Sequence, residues 1–175
     1  MARESMSALI ADVRSKIGDP TGDDQIFSDD EIERALDDRR NPVRYERLAW
    51  QETYNPTGST TYGTFYSLRG GFWEDNVLIY DGSYNVIAPA SSSLIRGEWT
   101  FNPALLNASV SMTGTQYDVY GASADLLTIM LAKSKNEYSF SRGNRSFQRS
   151  DKISNIEKAI DRYRGMQWIG FSPIY

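Results

Sequence analysis

The sequence predicts an α+β fold, a helical bundle of about four helices with a β-rich insertion of antiparallel hairpins or a small sheet between helices two and three. Three observations carry that expectation. Apolar residues recur at helical spacing toward both ends of the 175-residue chain. Short runs of β-formers, separated by glycine and asparagine turns, fill the middle. The aromatic share is 13 %, with 11 Tyr, and tyrosine suits sheet surfaces because its ring packs while its hydroxyl stays wet. The boundaries that follow are an N-terminal helical pair at 1–42, the insertion at 43–116, a C-terminal helical hairpin at 117–165 and a tail at 166–175.

The first helix places Leu9, Ile10, Val13 and Ile17 on one side and Asp12, Arg14 and Lys16 on the other. Gly18-Asp19-Pro20 stops it, since glycine tolerates a left-handed cap and proline cannot continue the helix. The second helix opens at Ser28-Asp29-Asp30-Glu31, a capping box in which serine accepts from the amide three residues on and the glutamate reaches back. Phe27 precedes the cap as a hydrophobic staple to Ile32, Leu36 continues the stripe, and Asn41-Pro42 is expected to close the helix.

From Val43 to Gln116 the period changes. Strands are expected at Thr64–Tyr66, Val77–Tyr80, Val86–Ile87, Glu98–Phe101 and Ser109–Met112. Between them lie Asn55-Pro56-Thr57-Gly58, Gly70-Gly71, Asp81-Gly82-Ser83 and Arg96-Gly97. Asp81-Gly82 is the best hairpin signal, and Gly70-Gly71 reads as a hairpin or flexible tip. Helix three is expected over Asp118–Tyr138, with Ala122, Leu126, Ile129, Met130 and Lys133 on one face. A polar turn at Ser139–Asn144 leads to helix four, whose Ile153, Ile156, Ile160 and Tyr163 form a seam for antiparallel packing on helix three.

Composition narrows the chemistry. The chain has no cysteine and no histidine, which removes disulfides, zinc-finger spacings, histidine-activated nucleophiles and an imidazole pH switch. No cofactor is expected, and a metal site would be all-oxygen. Asp19 to Asp30 loosely resembles a calcium loop, but its ligand register is wrong, and acids at a helix start are explained by the macrodipole. Glu74, Asp75 and Glu98 stand near Trp73 and Trp99, a superficial likeness to a carbohydrate-binding or glycan-cleaving site. No apolar run is long enough to span a membrane, and Met1-Ala2-Arg3-Glu4 lacks an apolar leader, so a cytosolic product without membrane contact is expected.

The net charge is −4, unevenly spread: residues 1–50 carry −4, 51–132 carry −5 and 133–175 carry +5. The basic set Arg142, Arg145, Arg149 and Lys152 gathers near the turn into helix four, where it either keeps a helical hairpin soluble or faces DNA or an acidic partner. Trp168, Ile169, Phe171, Ile174 and Tyr175 make the tail strongly apolar, so it either folds back on the core or docks on another protein.

Two stretches carry a resemblance. The first is Leu9-Ile10-Ala11-Asp12-Val13-Arg14 with Ile17-Gly18-Asp19-Pro20, followed by Phe27-Ser28-Asp29-Asp30-Glu31-Ile32-Glu33-Arg34-Ala35-Leu36. The second is Tyr117-Asp118-Val119-Tyr120-Gly121-Ala122-Ser123-Ala124-Asp125-Leu126-Leu127, with Tyr138-Ser139-Phe140-Ser141-Arg142-Gly143-Asn144-Arg145-Ser146-Phe147-Gln148-Arg149-Ser150-Asp151-Lys152. Both are similar to motifs of bacteriophage head–tail connector (adaptor) proteins. Neither motif is catalytic.

The resemblance implies a non-enzymatic virion neck protein, made in the host cytoplasm, that assembles as a dodecameric ring under the portal protein. Such a ring receives a tail-side stopper, terminator or tail protein and leaves a lumen through which genomic DNA passes without specific binding. It implies that Trp168, Ile169, Phe171, Ile174 and Tyr175 reach onto the portal. It also suggests that the Arg142–Lys152 cluster faces either the lumen or an acidic face of a neighbouring subunit around Asp29, Asp30 and Glu33. A tail or baseplate adaptor is the alternative virion role, and a carbohydrate-binding module the alternative outside the virion.

Overall fold

A computed structural model describes residues 4–54, 60–138 and 147–166. The fold is mixed α+β, with four helices and two small antiparallel sheets among the described residues. The chain divides into two compact units, Met1–Leu9 with Arg40–Tyr117, and Ile10–Arg39 with Asp118–Tyr175.

The β-rich unit contains β1 (Arg40–Arg47), β2 (Ala49–Tyr54), β3 (Thr60–Tyr66), β4 (Leu78–Tyr80), β5 (Val86–Ile87), β6 (Ser91–Ser93), β7 (Glu98–Leu105) and β8 (Ser111–Tyr117). One sheet has the order β1-β8-β4-β5 and the other β2-β3-β7-β6, with every pairing antiparallel. Alternation decides what goes inside. Along β7, Trp99 and Phe101 are buried, and along β8, Met112, Gly114 and Gln116 are, as a period of two requires. Val43, Ile79 and Met112 from the first sheet join Phe65, Trp99 and Phe101 from the second in one core cluster. Trp73 completes it, its ring 6.3 Å from that of Trp99 in an edge-on arrangement. Such a pair contributes about 1 kcal/mol beyond the area it buries.

In the helical unit, α2 (Asp29–Asp37), α3 (Val119–Tyr138) and α4 (Phe147–Met166) join the part of α1 (Glu4–Ile17) that follows Leu9. Gly18 takes φ +67°, the left-handed stop expected of it. The Ser28/Glu31 capping box is formed in both directions, and Phe27 and Ile32 on either side of it are buried. Both α2 and α4 pack on α3. On α4, Ile156 and Ile160 are buried and Ile153 and Tyr163 half-buried, the seam read from their spacing. The Tyr163 hydroxyl donates to the Lys16 carbonyl at 2.9 Å, and its ring lies 5.9 Å from that of Tyr120.

Several elements differ from expectation. Helix two ends at Asp37, and Asn41-Pro42 lies inside β1 instead of closing the helix. Proline is tolerated there because β1 is an edge strand, where a missing amide costs no ladder bond. Strands β2 and β6 were not visible as β-former runs, and β8 starts at Ser111 rather than Ser109. Pro103 is accommodated in β7 because it falls where the β3–β7 register shifts, between the partners of Tyr62 and Thr64. On α3 the expected face splits. Ala122, Leu126 and Met130 are buried with Ser123, Leu127 and Ser134, while Ile129 and Lys133 are exposed.

Gly70-Gly71 is not a free tip. The Gly71 position abuts the turn after β6, where an added Cβ would stand 1.7 Å from the Ile95 carbonyl oxygen. The segment is fastened by Phe72 and Trp73 amides donating to Ile95 and Leu94, and by the Trp73 indole donating to the Gly70 carbonyl at 2.8 Å. The Gln116 amide nitrogen adds bonds to the carbonyls of Arg69 and Gly71. Only glycine permits that approach.

Candidate assembly surfaces

The described parts of both resemblance-bearing stretches are spent largely on architecture. Arg14, 6 % exposed, is the hub of the first. Its guanidinium donates to Asp19 at 2.7 Å, to Asp29 at 2.6 and 3.2 Å, and to the Phe27 carbonyl at 2.8 Å. Asp19 in turn accepts the amides of Ile26 and Phe27. A single cation thereby ties the end of α1, the linking turn and the start of α2. The Asp19 carboxylate is thus committed to Arg14 and two backbone amides, and no group of acidic side chains placed to hold a metal ion occurs among the described residues. In the second stretch, Asp118 caps α3 by accepting the Gly121 amide at 2.9 Å, and Asp125 pairs with Arg39 through two bonds of 2.9 and 3.0 Å. Burial pushes the Asp118 carboxyl above its ordinary pKa, against the lowering by the Gly121 amide and Arg39.

The acidic residues assigned to a partner face divide. Asp29 is engaged by Arg14, Asp30 is exposed, and Glu33 is half-buried. Of the basic cluster, Arg142 and Arg145 lie outside the described residues, Arg149 is on α4 without a described side chain, and Lys152 is exposed on α4. Trp168, Ile169, Phe171, Ile174 and Tyr175 also lie outside the described residues.

The sugar-site likeness loses its platform. Trp73 and Trp99 are 0 % and 1 % exposed, so neither ring can stack on a ligand. Glu74 is buried and pairs with Arg40 at 2.8 Å. No helix among the described residues is long and apolar enough to cross a membrane.

Three surface features escaped the sequence reading. The first is a tyrosine cluster on the outer face of the β1-β8-β4-β5 sheet. Tyr45 lies 5.5 Å from Tyr80 and 5.7 Å from Tyr84, and exposed Leu78 and Val86 extend the patch. Tyr45 and Tyr84 have φ of +50° and +63°, left-handed conformations that cost a non-glycine residue of order 1 kcal/mol each. The high tyrosine content was its only signal. The second is a recess of about 330 Å³ beside Asp81, Ile87, Leu105, Leu106 and Val110. The third is a groove of about 250 Å³ between α2 and α3, with Phe27, Ala35, Leu126 and Ile129 as its apolar lining and Glu31, Arg34, Asp38 and Asp125 around it. Ile129, misplaced on the packing face by its spacing, was the hint to this groove.

Comparison of the chain with protein-family models, with curated proteins and with solved structures finds no match.

Proposed function

We propose that this chain is a structural head–tail connector of a bacteriophage virion: it forms a dodecameric ring under the portal, joins capsid to tail and leaves a lumen for DNA. In this reading the four helices complete one bundle and the sheets are an insertion in it. The observation that carries the reading is the Arg14 hub. Among the described residues that give the chain its likeness to connector proteins, Arg14, Asp19, Phe27 and Asp29 are occupied in shaping the helical unit, and Asp19 is neutralised by an ion pair. A net charge of −4 also suits a ring that passes DNA, since a basic lumen would grip the phosphates.

The portal protein is the proposed partner on one side and a stopper, terminator or tail protein on the other. The apolar segment Trp168 to Tyr175 is assigned to the portal. Native mass measurement of the full chain, alone and with its cognate portal, tests the reading. A ring of about twelve copies found only with portal is expected; a chain that stays monomeric and ignores the portal would sink it. Truncation after Gly165 tests the tail, and unchanged portal binding by the shortened chain would remove that assignment.

The exposed Tyr45–Tyr80–Tyr84 cluster favours a second virion role, as a tail or baseplate adaptor docking through the β-rich unit. Tyr45→Ser with Tyr84→Ser separates the two: an adaptor of that kind loses its partner, whereas a connector keeps its portal.

A further inference from the structure

Among the described residues of the helical unit, only Ile26, Ile129 and Met166 are large apolar side chains left exposed. Ile129 and Met166 sit in opposite electrostatic settings. Ile129 edges the α2–α3 groove, whose lining carries Glu31, Asp38 and Asp125 against Arg34; Asp125 is paired with Arg39 and Lys133 stands over the Phe27 ring, so Glu31 and Asp38 supply the acidic rim. Asp30 is exposed nearby on α2, and the Glu31 carboxyl is held below its ordinary pKa by the Ser28 amide and hydroxyl, so it stays ionised near neutrality. Met166 ends α4, where Lys158, Arg162 and Met166 follow one another every four residues and therefore share one exposed stripe. The exposed acids of α4, Glu157 and Asp161, fall on the opposite side of that helix from Met166.

These two faces lie on different sides of α3, because α2 meets it around Asp125 and Ile129, whereas α4 meets it around Tyr120 and Lys135, which helical spacing puts on the opposite side. A groove of about 250 Å³ is below the usual size of a small-molecule site, about 300–1,000 Å³, and fits a side chain better. An acid-rimmed apolar groove on one flank and a cation-lined apolar stripe on the other are complementary between copies. They are not self-complementary, which is the requirement for a head-to-tail contact that closes into a ring.

We propose that the α2–α3 groove receives the Lys158–Arg162–Met166 stripe of α4 from a second copy of this chain, with Met166 seated on Ile129 and the two cations against the acidic rim. The proposal rests on the ring reading above and names the contact that builds it. Encounter is favoured by the opposite charges, and specificity arises because groove-to-groove and stripe-to-stripe approaches meet like charge.

The absence of cysteine makes a direct test available. Full-length chain carrying Ile129→Cys and Met166→Cys together, concentrated and mildly oxidised, is expected to give a ladder of disulfide-linked dimers, trimers and larger species, because disulfides trap even weak encounters. Each single variant alone is expected to stay monomeric, and the two singles mixed to give only a heterodimer. No ladder from the double variant, or a strong homodimer from either single variant, overturns the contact. A second measurement does not depend on cysteine geometry. Lys158→Glu with Arg162→Glu in one chain, and Asp30→Lys with Asp38→Lys in another, should each fail to form a ring on the portal, and an equal mixture should restore the ring in alternating order. Failure of the mixture to recover overturns the head-to-tail assignment. The ring reading fails separately: rings on the portal without a disulfide ladder would remove only this contact, whereas no ring on the portal would remove both.

Discussion

Arg14 and Asp19, five residues apart, meet in a buried ion pair of 2.7 Å across the Gly18 stop. The carboxylate is inaccessible to water and also accepts two backbone amides from the turn. Such a pair contributes little relative to an apolar substitute but is costly to break on one side, up to about 3–5 kcal/mol where the surviving charge has no other partner.

Asp19→Ala is therefore expected to cost about 3 kcal/mol of stability by urea unfolding, since it leaves Arg14 with only the exposed Asp29 carboxylate as counter-charge and the Ile26 and Phe27 amides without that acceptor. The Arg14→Met, Asp19→Ala double variant should recover part of that loss. A single-variant cost below about 1 kcal/mol would show that the pair does not organise the turn.

Gly71→Ala tests the close approach in the β-rich unit. Its Cβ would enter the Ile95 carbonyl group, which is backbone and cannot swing away, so a loss of about 3 kcal/mol or more is expected. Gly70→Ala is the control. It has φ of +83° but no atom within 4 Å, so only the conformational cost of about 1–2 kcal/mol applies. Thermal or urea midpoints that rank the two variants the other way would contradict the packing described.

These two cases also explain what was legible in the sequence. Gly18, Ser28 and Glu31 could be read because a cap is local chemistry within four residues. The α3 face was misjudged because Leu126 to Leu131 is apolar nearly all round, and only the packing of α2 and α4 decides that Leu127 goes in and Ile129 out. Ser91–Ser93 contains no β-former and becomes a strand solely by pairing with Glu98–Thr100, a tertiary effect. Trp73 lies outside every strand and looked like an exposed platform, yet an isolated bridge to Gln116 holds it in the core. The Arg14 hub was invisible for a similar reason. Arg14 was placed on the outer side of the first helix, and only the return of the chain at Phe27–Asp29 encloses it.

Asp118 gives a pH prediction with a defined sign. Its folded-state pKa is raised, chiefly by burial, so the folded protein holds that proton more tightly than the unfolded chain does. Its ionisation then costs stability as pH rises above the ordinary value of about 3.8, until the raised folded value is passed. Asp118→Asn keeps an oxygen for the Gly121 amide and removes the charge. Relative to the parent, the variant should gain stability between pH 3.5 and pH 7, measured as the change in urea midpoint. A parent that gains on the variant over that range would reverse the assignment.

Tyr163 joins α4 to the end of α1 by two separable interactions, a hydroxyl bond to the Lys16 carbonyl and a ring contact with Tyr120. Tyr163→Phe removes only the first. With the site half-buried, water can replace part of that bond, so a cost of about 0.5–1.5 kcal/mol is expected. Tyr163→Ala removes both and leaves the Tyr120 ring uncovered on one side, for a loss of about 3 kcal/mol. Amide exchange separates the two effects further. In Tyr163→Phe the faster exchange should be confined to the last turn of α1 and the adjacent turn of α4, while α2 stays protected by the Arg14 hub. Uniformly faster exchange across all four helices would mean that this one hydroxyl secures the whole unit rather than a single joint.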